Sequence, residues 1–308
     1  MIVRWLEMPW LMAKGFCMGM ADLVPGVSGG TMAFILGIYE RLLAAIRSFD
    51  AVWIKACLKF DLPTAFKRPH FNFIFPLLVG LFLAVWFFTH IISLPTLLHE
   101  YPEHVYGLFF GLIIASIYVL MQELQGFNAI DAITLALGTV FGLIIVNLVP
   151  VETPNATWFI FLSGAIAICA MILPGVSGSF LLLLLKKYSV IITAIGDFNL
   201  GVIVPFLLGC IVGLASFSRF LTWLLSRFYQ RTLLVIKGIL IASLWLLWPF
   251  QERLYETFAG KQKLLSTTAY LPEVIDNKVL EVAGLILVGA CLVVAIHWLS
   301  LRYKTVKP

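Results

Sequence analysis

The chain has 308 residues, of which 61% are hydrophobic and only 12% charged, with a mean hydropathy of +1.02. Soluble domains carry roughly twice that share of charge, so the composition defines an integral membrane protein. The net charge of +5 is spread over short segments instead of forming one patch, which argues against a nucleic-acid partner and leaves the basic residues as topology signals.

Residues 1–14 place Trp5 and Trp10 beside Arg4 and Lys14, the mixture found at headgroup level. Glu7, Pro9 and Lys14 interrupt the apolar residues and no small-x-small cleavage site follows, so this segment is expected to be retained. Gly15 to Val24 would rise ~15 Å as a helix, about half of a ~30 Å hydrocarbon core, and is expected to stop at Pro25. The run Pro25-Gly26-Val27-Ser28-Gly29-Gly30-Thr31 then breaks the helix inside apolar sequence. An arm from Thr31 to Ile46 is expected to return to the side of entry, completing a re-entrant hairpin over 15–46. Ser48 to Phe60 reads as an interfacial helix (48–60), with Phe49, Val52, Trp53, Ala56 and Phe60 on one face and Asp50, Lys55 and Lys59 on the other. Spans are expected at Phe71–Leu94, Val105–Met121 and Ala129–Val149.

The second half follows the same plan: a hairpin over 157–195, then spans at Gly201–Leu225, Thr232–Trp248 and Val279–Leu299. Pro174-Gly175-Val176-Ser177-Gly178-Ser179 repeats the first break 149 residues later, with eleven identities in thirty-two ungapped positions. Pro76-Leu77-Leu78-Val79-Gly80 pairs with Pro205-Phe206-Leu207-Leu208-Gly209, and Gly111 to Ser116 pairs with Gly238 to Ser243. Interrupted hydrophobic segments at matching places in two halves point to a transporter's binding site. A hairpin that returns to its own side plus three crossings is an odd change of side, so the second half is expected to be inverted. With both termini cytoplasmic, twelve basic residues fall inside and four (Arg253, Lys261, Lys263, Lys278) outside. The expected fold is therefore an all-α, inverted-repeat membrane protein with six transmembrane helices and two re-entrant hairpins, N-in and C-in. Repeats 1–156 and 157–308 form one structural domain.

At each break the second arm begins, so its free N–H groups point at the tip. Small residues let backbone approach a ligand, and Ser28, Thr31, Ser177 and Ser179 add hydroxyl donors. The candidate binding residues are Pro25, Gly26, Ser28, Gly29, Gly30 and Thr31 with Pro174, Gly175, Ser177, Gly178 and Ser179. The ligand implied is a small anionic group such as phosphate or carboxylate; the plainer reading has the serines only capping helices. Asp22, one turn before the first tip and matched by Met171, carries a coupling proton or cation, or else accepts from the tip's own N–H groups. Lys186-Lys187 replaces Gly37-Ile38 and either faces the anion or snorkels outward, the second being favoured. Arg219 and Lys237 greet an anion or anchor at the interface. Arg41, beside Glu40, reads more readily as an interfacial pair than as a phosphate contact.

Neither a metal site nor a cofactor is expected: His99, Glu100, Glu103 and His104 share a loop without helical i,i+4 histidines. The five cysteines (Cys17, Cys57, Cys169, Cys210, Cys291) form no C-x-x-C pair and read as apolar fillers. No P-loop, H-E-x-x-H or G-x-S-x-G occurs.

The stretches Ala21 to Thr31 and Cys169 to Ser179 together resemble the bacterial polyprenyl-phosphate transporter family of PopT type, formerly a domain of unknown function, and the resemblance covers essentially the whole chain. It implies a non-enzymatic flippase that returns undecaprenyl phosphate across the bacterial plasma membrane for lipid-carrier recycling, with phosphate at the paired tips and the tail in lipid. Two rivals remain. Undecaprenyl-pyrophosphate phosphatases are similar in their Pro-Gly-x-Ser tips, but they follow the serine with Arg where this chain has Gly29 and Gly178. A secondary carrier of a soluble anion keeps the fold and changes the cargo.

Overall fold

The computed structural model describes residues 7–122, 124, 126–258 and 261–305. Arg4, Trp5 and Lys307 lie outside the described residues. In chain order the helices of the first half are α1 (Met8–Asp22), α2 (Gly29–Ile35), α3 (Tyr39–Arg47), α4 (Ala51–Leu58), α5 (Leu62–Lys67), α6 (Phe71–His90), α7 (Leu94–Glu100), α8 (Pro102–Gln122) and α9 (Ala129–Val146). The second half holds α10 (Thr157–Ile172), α11 (Gly178–Leu184), α12 (Tyr188–Gly196), α13 (Leu200–Arg227), α14 (Tyr229–Leu247), strands β1 (Gln251–Phe258) and β2 (Lys261–Ala269), and α15 (Asn277–Thr305). Among the described residues six helices are long and apolar enough to cross a membrane: α6, α8, α9, α13, α14, and α15 over Asn277–Ala295. The chain is thus a multi-pass helical membrane protein.

The chain divides into two compact units, each drawing on both halves: one comprises residues up to Ser93 with Val149–Thr232, the other Leu94–Leu148 with Leu233 onward. In the first, α1 packs on α6 and α10 on α13, through glycines that bring backbones into contact. A Cβ on Gly80 would stand 1.9 Å from the Met12 carbonyl oxygen, and one on Gly209 would stand 1.9 Å from that of Phe161. Met12 and Phe161 are 149 residues apart, the spacing of the two tips, so the duplicated sequence packs twice in the same way. In the second unit the partners come from opposite halves: α8 packs on α15, where a Cβ on Gly111 would lie 2.0 Å from the Ile286 oxygen. Likewise α14 meets α9, where a Cβ on Gly238 would lie 2.4 Å from the Leu135 oxygen.

Besides α1, which runs over Met8–Asp22 where the leading arm is expected from Gly15 to Val24, and α7 in an expected loop, three local features differ from the sequence reading. The arm expected as one helix from Thr31 to Ile46 is two, α2 and α3, and the matching arm is α11 and α12, bent by 106°. Both breaks are left-handed helix ends: Gly37 (φ +66) and Lys186 (φ +50) hold the residue after the cap. The next N–H reaches back five residues in each, Ile38 to the Ala33 oxygen (2.9 Å) and Lys187 to the Leu182 oxygen (2.8 Å). The interfacial helix expected over 48–60 is shorter, α4, and ends in the same manner at Phe60 (φ +54) before the unanticipated α5. Finally, the long loop after α14 contains an antiparallel ribbon, β1 paired with β2 from Gln251↔Ala269 to Phe258↔Lys261. The threonines and aromatics in these segments favour extended backbone.

Candidate functional site

The two Pro-Gly breaks belong to the same unit, and they touch. Gly26 (φ +88) and Gly175 (φ +91) adopt the same left-handed turn, which glycine alone enters without strain. Each turn delivers a serine, Ser28 or Ser177, in extended conformation at the start of the following helix. Three hydrogen bonds join the breaks. The Gly175 N–H donates to Thr31 Oγ1 (2.8 Å), the Tyr39 hydroxyl to the Ile172 oxygen (3.1 Å), and Ser28 Oγ to the Met171 oxygen (3.4 Å). Gly30 lies against the second break so closely that a Cβ would come within 2.6 Å of the Met171 oxygen and 2.9 Å of the Ile172 oxygen.

The environments of the two tips differ. At the first, Ser28 (2% exposed) and Thr31 (1%) are buried, and Ser28 Oγ accepts from the Gly30 N–H (3.1 Å), a normal N-cap. Asp22 Oδ1 accepts from the Gly29 N–H at 2.6 Å, so the second of the two readings given for Asp22 describes a contact that forms. At the second tip, Ser177 makes no cap bond. Its hydroxyl pairs with that of Ser179 at 3.0 Å, and Ser179 is exposed. Where the first tip has the carboxylate of Asp22, the second has Met171, and Thr31 is matched by Phe180.

The cationic candidates are engaged elsewhere. Lys187 is 1% exposed, not snorkelling as favoured from sequence. As the residue after the left-handed turn it points inward, and its Nζ donates to the Thr153 oxygen (2.9 Å) and Asn155 Oδ1 (2.7 Å). Lys186 pairs with Glu152, and the Val151 N–H donates to the Leu184 oxygen (2.8 Å), so the 151–155 segment straps the bend between α11 and α12. At the matching bend Lys14 Nζ donates to the Leu36 oxygen (2.7 Å). Lys237 is buried and donates to the Leu120 oxygen (2.6 Å) in the last turn of α8, where a cation meets the negative end of a helix. Arg219 lies exposed along its own helix, donating to the Ala215 oxygen (2.7 Å). Arg41 stacks on Phe73 (4.9 Å) and pairs with Glu7 (3.7 Å) instead of Glu40. Tyr39 also joins the tips, and its repetition 149 residues on as Tyr188 is the sequence signal that marks it.

Interrupted apolar helices at matching places in two halves of a membrane protein are the pattern in which transporters build binding sites. The family model VCA0040-like, undecaprenyl phosphate translocase-like, matches residues 18–264. The chain belongs to that family. It is 39% identical over 241 residues to a polyprenyl-phosphate transporter of Vibrio cholerae, covering 78% of each chain. It is 27% identical over 266 residues to a polyprenyl-phosphate transporter of Staphylococcus aureus, covering 79% of this chain and 87% of the other. These relatives are named as transporters, not enzymes. No solved structure matches.

Proposed function

We propose that the protein is a flippase that moves undecaprenyl phosphate across the bacterial plasma membrane, returning the lipid carrier for reuse, with the phosphate held between the two tips. The observation that carries this reading is the direct bonding of the tips, Gly175 N–H to Thr31 Oγ1, beside an open pair of serine hydroxyls at 177 and 179. Hydroxyls and closely approachable backbone suit a phosphate monoester. The reading also takes the breaks as re-entrant hairpins of inverted repeats 1–156 and 157–308, both termini cytoplasmic, so that the tips meet near the midplane. The doubled Gly80 and Gly209 packing supports the repeat, and the transporter relatives support the cargo.

Asp22 supplies a coupling device. Its carboxylate occupies the Gly29 N–H, and a carboxylate repels a phosphate from that amide. Protonation, or a bound cation, weakens that hold and frees the amide for the anion, so cation binding and phosphate capture reinforce each other.

Reconstitution tests this reading. Vesicles holding the protein should move polyprenyl phosphate between leaflets, and the double variant Ser28→Ala with Ser177→Ala should move it more slowly. Unaltered flipping in that variant would remove the tips from the mechanism. In Asp22→Asn the dependence of the rate on a pH gradient should vanish, and its persistence would assign coupling elsewhere.

A further inference from the structure

Between α3 and α6 stands a two-helix finger, α4 and α5, that the transport reading leaves unused. It is internally fastened. Asp50 Oδ1 accepts from the N–H groups of Val52 (3.1 Å) and Trp53 (3.0 Å), capping α4. Arg68 at the end of α5 grips the same carboxylate with Nε (3.1 Å) and Nη2 (2.5 Å). The Arg68 guanidinium and the Trp53 amide hold the Asp50 carboxyl well below the usual carboxylate range, so the clasp stays ionised at neutral pH. Trp53 Nε1 donates to the Ala65 oxygen (3.1 Å), tying the two helices together.

What this rigid finger presents is mixed. Leu58, Phe60, Leu62 and Phe66 are exposed, and so are Lys55, Lys59 and Lys67. Phe60 is 85% exposed, so its ring gains almost nothing from the chain, yet it holds a left-handed backbone (φ +54) that glycine would occupy without strain. A strained aromatic pointed outward between Lys59 and Asp61, on a finger that also exposes Lys55 and Lys67, matches the boundary between acyl chains and headgroups. Phe66 of α5 also lines a surface groove of about 400 Å³, together with Met8, Phe71, Asn72, Phe75 and Pro76. Phe66 thus joins the finger to the groove, and Lys67 follows it at the exposed end of α5.

We propose that the finger and groove are a docking site for an anionic phospholipid of the surrounding leaflet, its acyl chain in the groove and its phosphodiester on Lys55, Lys59 and Lys67. Charge complementarity selects this occupant: with Asp50 and Arg68 paired to each other, three exposed lysines against Asp61 leave the finger cationic and favour an anionic over a zwitterionic headgroup. The site is separate from the tips, and its ligand is resident lipid and not cargo.

Native mass spectrometry of the full-length protein, equilibrated with equal amounts of phosphatidylglycerol and phosphatidylcholine, tests it. The parent protein should retain phosphatidylglycerol preferentially, and Lys55→Gln with Lys59→Gln and Lys67→Gln should reduce that preference by about fivefold or more, a factor of that size being expected for even one surface lysine. Phe60→Gly should lower retention of both lipids without changing the ratio. Phe198 offers a control, with φ +52 and 82% exposure but Asp197 and Asn199 as its sequence neighbours where Phe60 has Lys59 and Asp61, and Phe198→Gly should leave the ratio unchanged. An unchanged ratio in the triple variant overturns the proposal. So does a loss confined to added polyprenyl phosphate, or a dimer mass that collapses on Phe60→Gly while lipid retention holds, which would make the occupant a second copy of the chain. A nitroxide on Phe60→Cys gives an independent readout: relaxation by lipid-soluble oxygen should exceed that by an aqueous nickel chelate, and the reverse order contradicts lipid docking.

Discussion

At the first tip Ser28 and Thr31 are buried, and the amides of Gly29 and Gly30 are already taken by Asp22 and Ser28. At the second, the same Pro-Gly-Val-Ser-Gly sequence leaves Ser177 without a cap bond and Ser179 exposed. Identical motifs therefore occupy unlike environments, and the difference traces to three substitutions between the repeats: Asp22 against Met171, Gly30 against Ser179, and Thr31 against Phe180. The first tip has the hydroxyls that bond it to the second, and the second keeps a serine pair of which Ser179 is exposed. On the proposed phosphate site the two copies would divide their labour, the first mainly as scaffold and the second as the more open contact.

That division predicts unequal responses to matched changes. The largest inequality is expected at Gly30 and Ser179. Gly30→Ala forces a methyl into the Met171 and Ile172 carbonyls and should cost about 1–3 kcal/mol, whereas Ser179→Ala at an exposed position should stay within about 0.5 kcal/mol. Thermal melting of the two variants measures both, and equal losses would break the distinction. Next comes Thr31→Val, which keeps the shape but strands the Gly175 N–H and should cost ~1–3 kcal/mol. Thr31→Ser should recover most of that stability in the same melting assay. Smaller again, Ser28→Ala removes an N-cap and should cost about 1 kcal/mol. Ser177→Ala, which removes no cap bond, should leave stability nearly unchanged while still slowing transport in vesicles. The smallest pair has opposite signs. Gly37→Ala strains a left-handed backbone in open space and should destabilise by ~1 kcal/mol, whereas Lys186→Gly relieves one and, less the exposed Glu152 pair it removes, should stabilise by under ~1 kcal/mol.

The tips were legible because helix-breaking residues inside apolar sequence have few physical uses, and because the motif occurs twice. The long spans were legible from length and hydropathy, with boundaries shifted by a few residues. The breaks at Gly37 and Lys186 were not, since the second is a lysine in a leucine-rich run and only the backbone angle reveals its likeness to Gly37. Nor was the inward turn of Lys187, because its acceptors Thr153 and Asn155 lie over thirty residues away in a loop that looks featureless. The pairing of α8 with α15 across the two halves was equally hidden: Gly107 and Gly111 mark α8 as a close-packing face, but a glycine stripe names no partner. From sequence the threonine beyond the first serine counts as an extra donor, yet Thr31 acts as an acceptor for the opposite tip.

A photoreactive polyprenyl phosphate, carrying its reactive group on the phosphate and illuminated with the reconstituted protein, tests the central claim most directly. The account predicts labelling of Gly175–Ser179, with less at Ser28–Thr31, and suppression of that labelling by unlabelled polyprenyl phosphate. Competed labelling that avoids both stretches would contradict it.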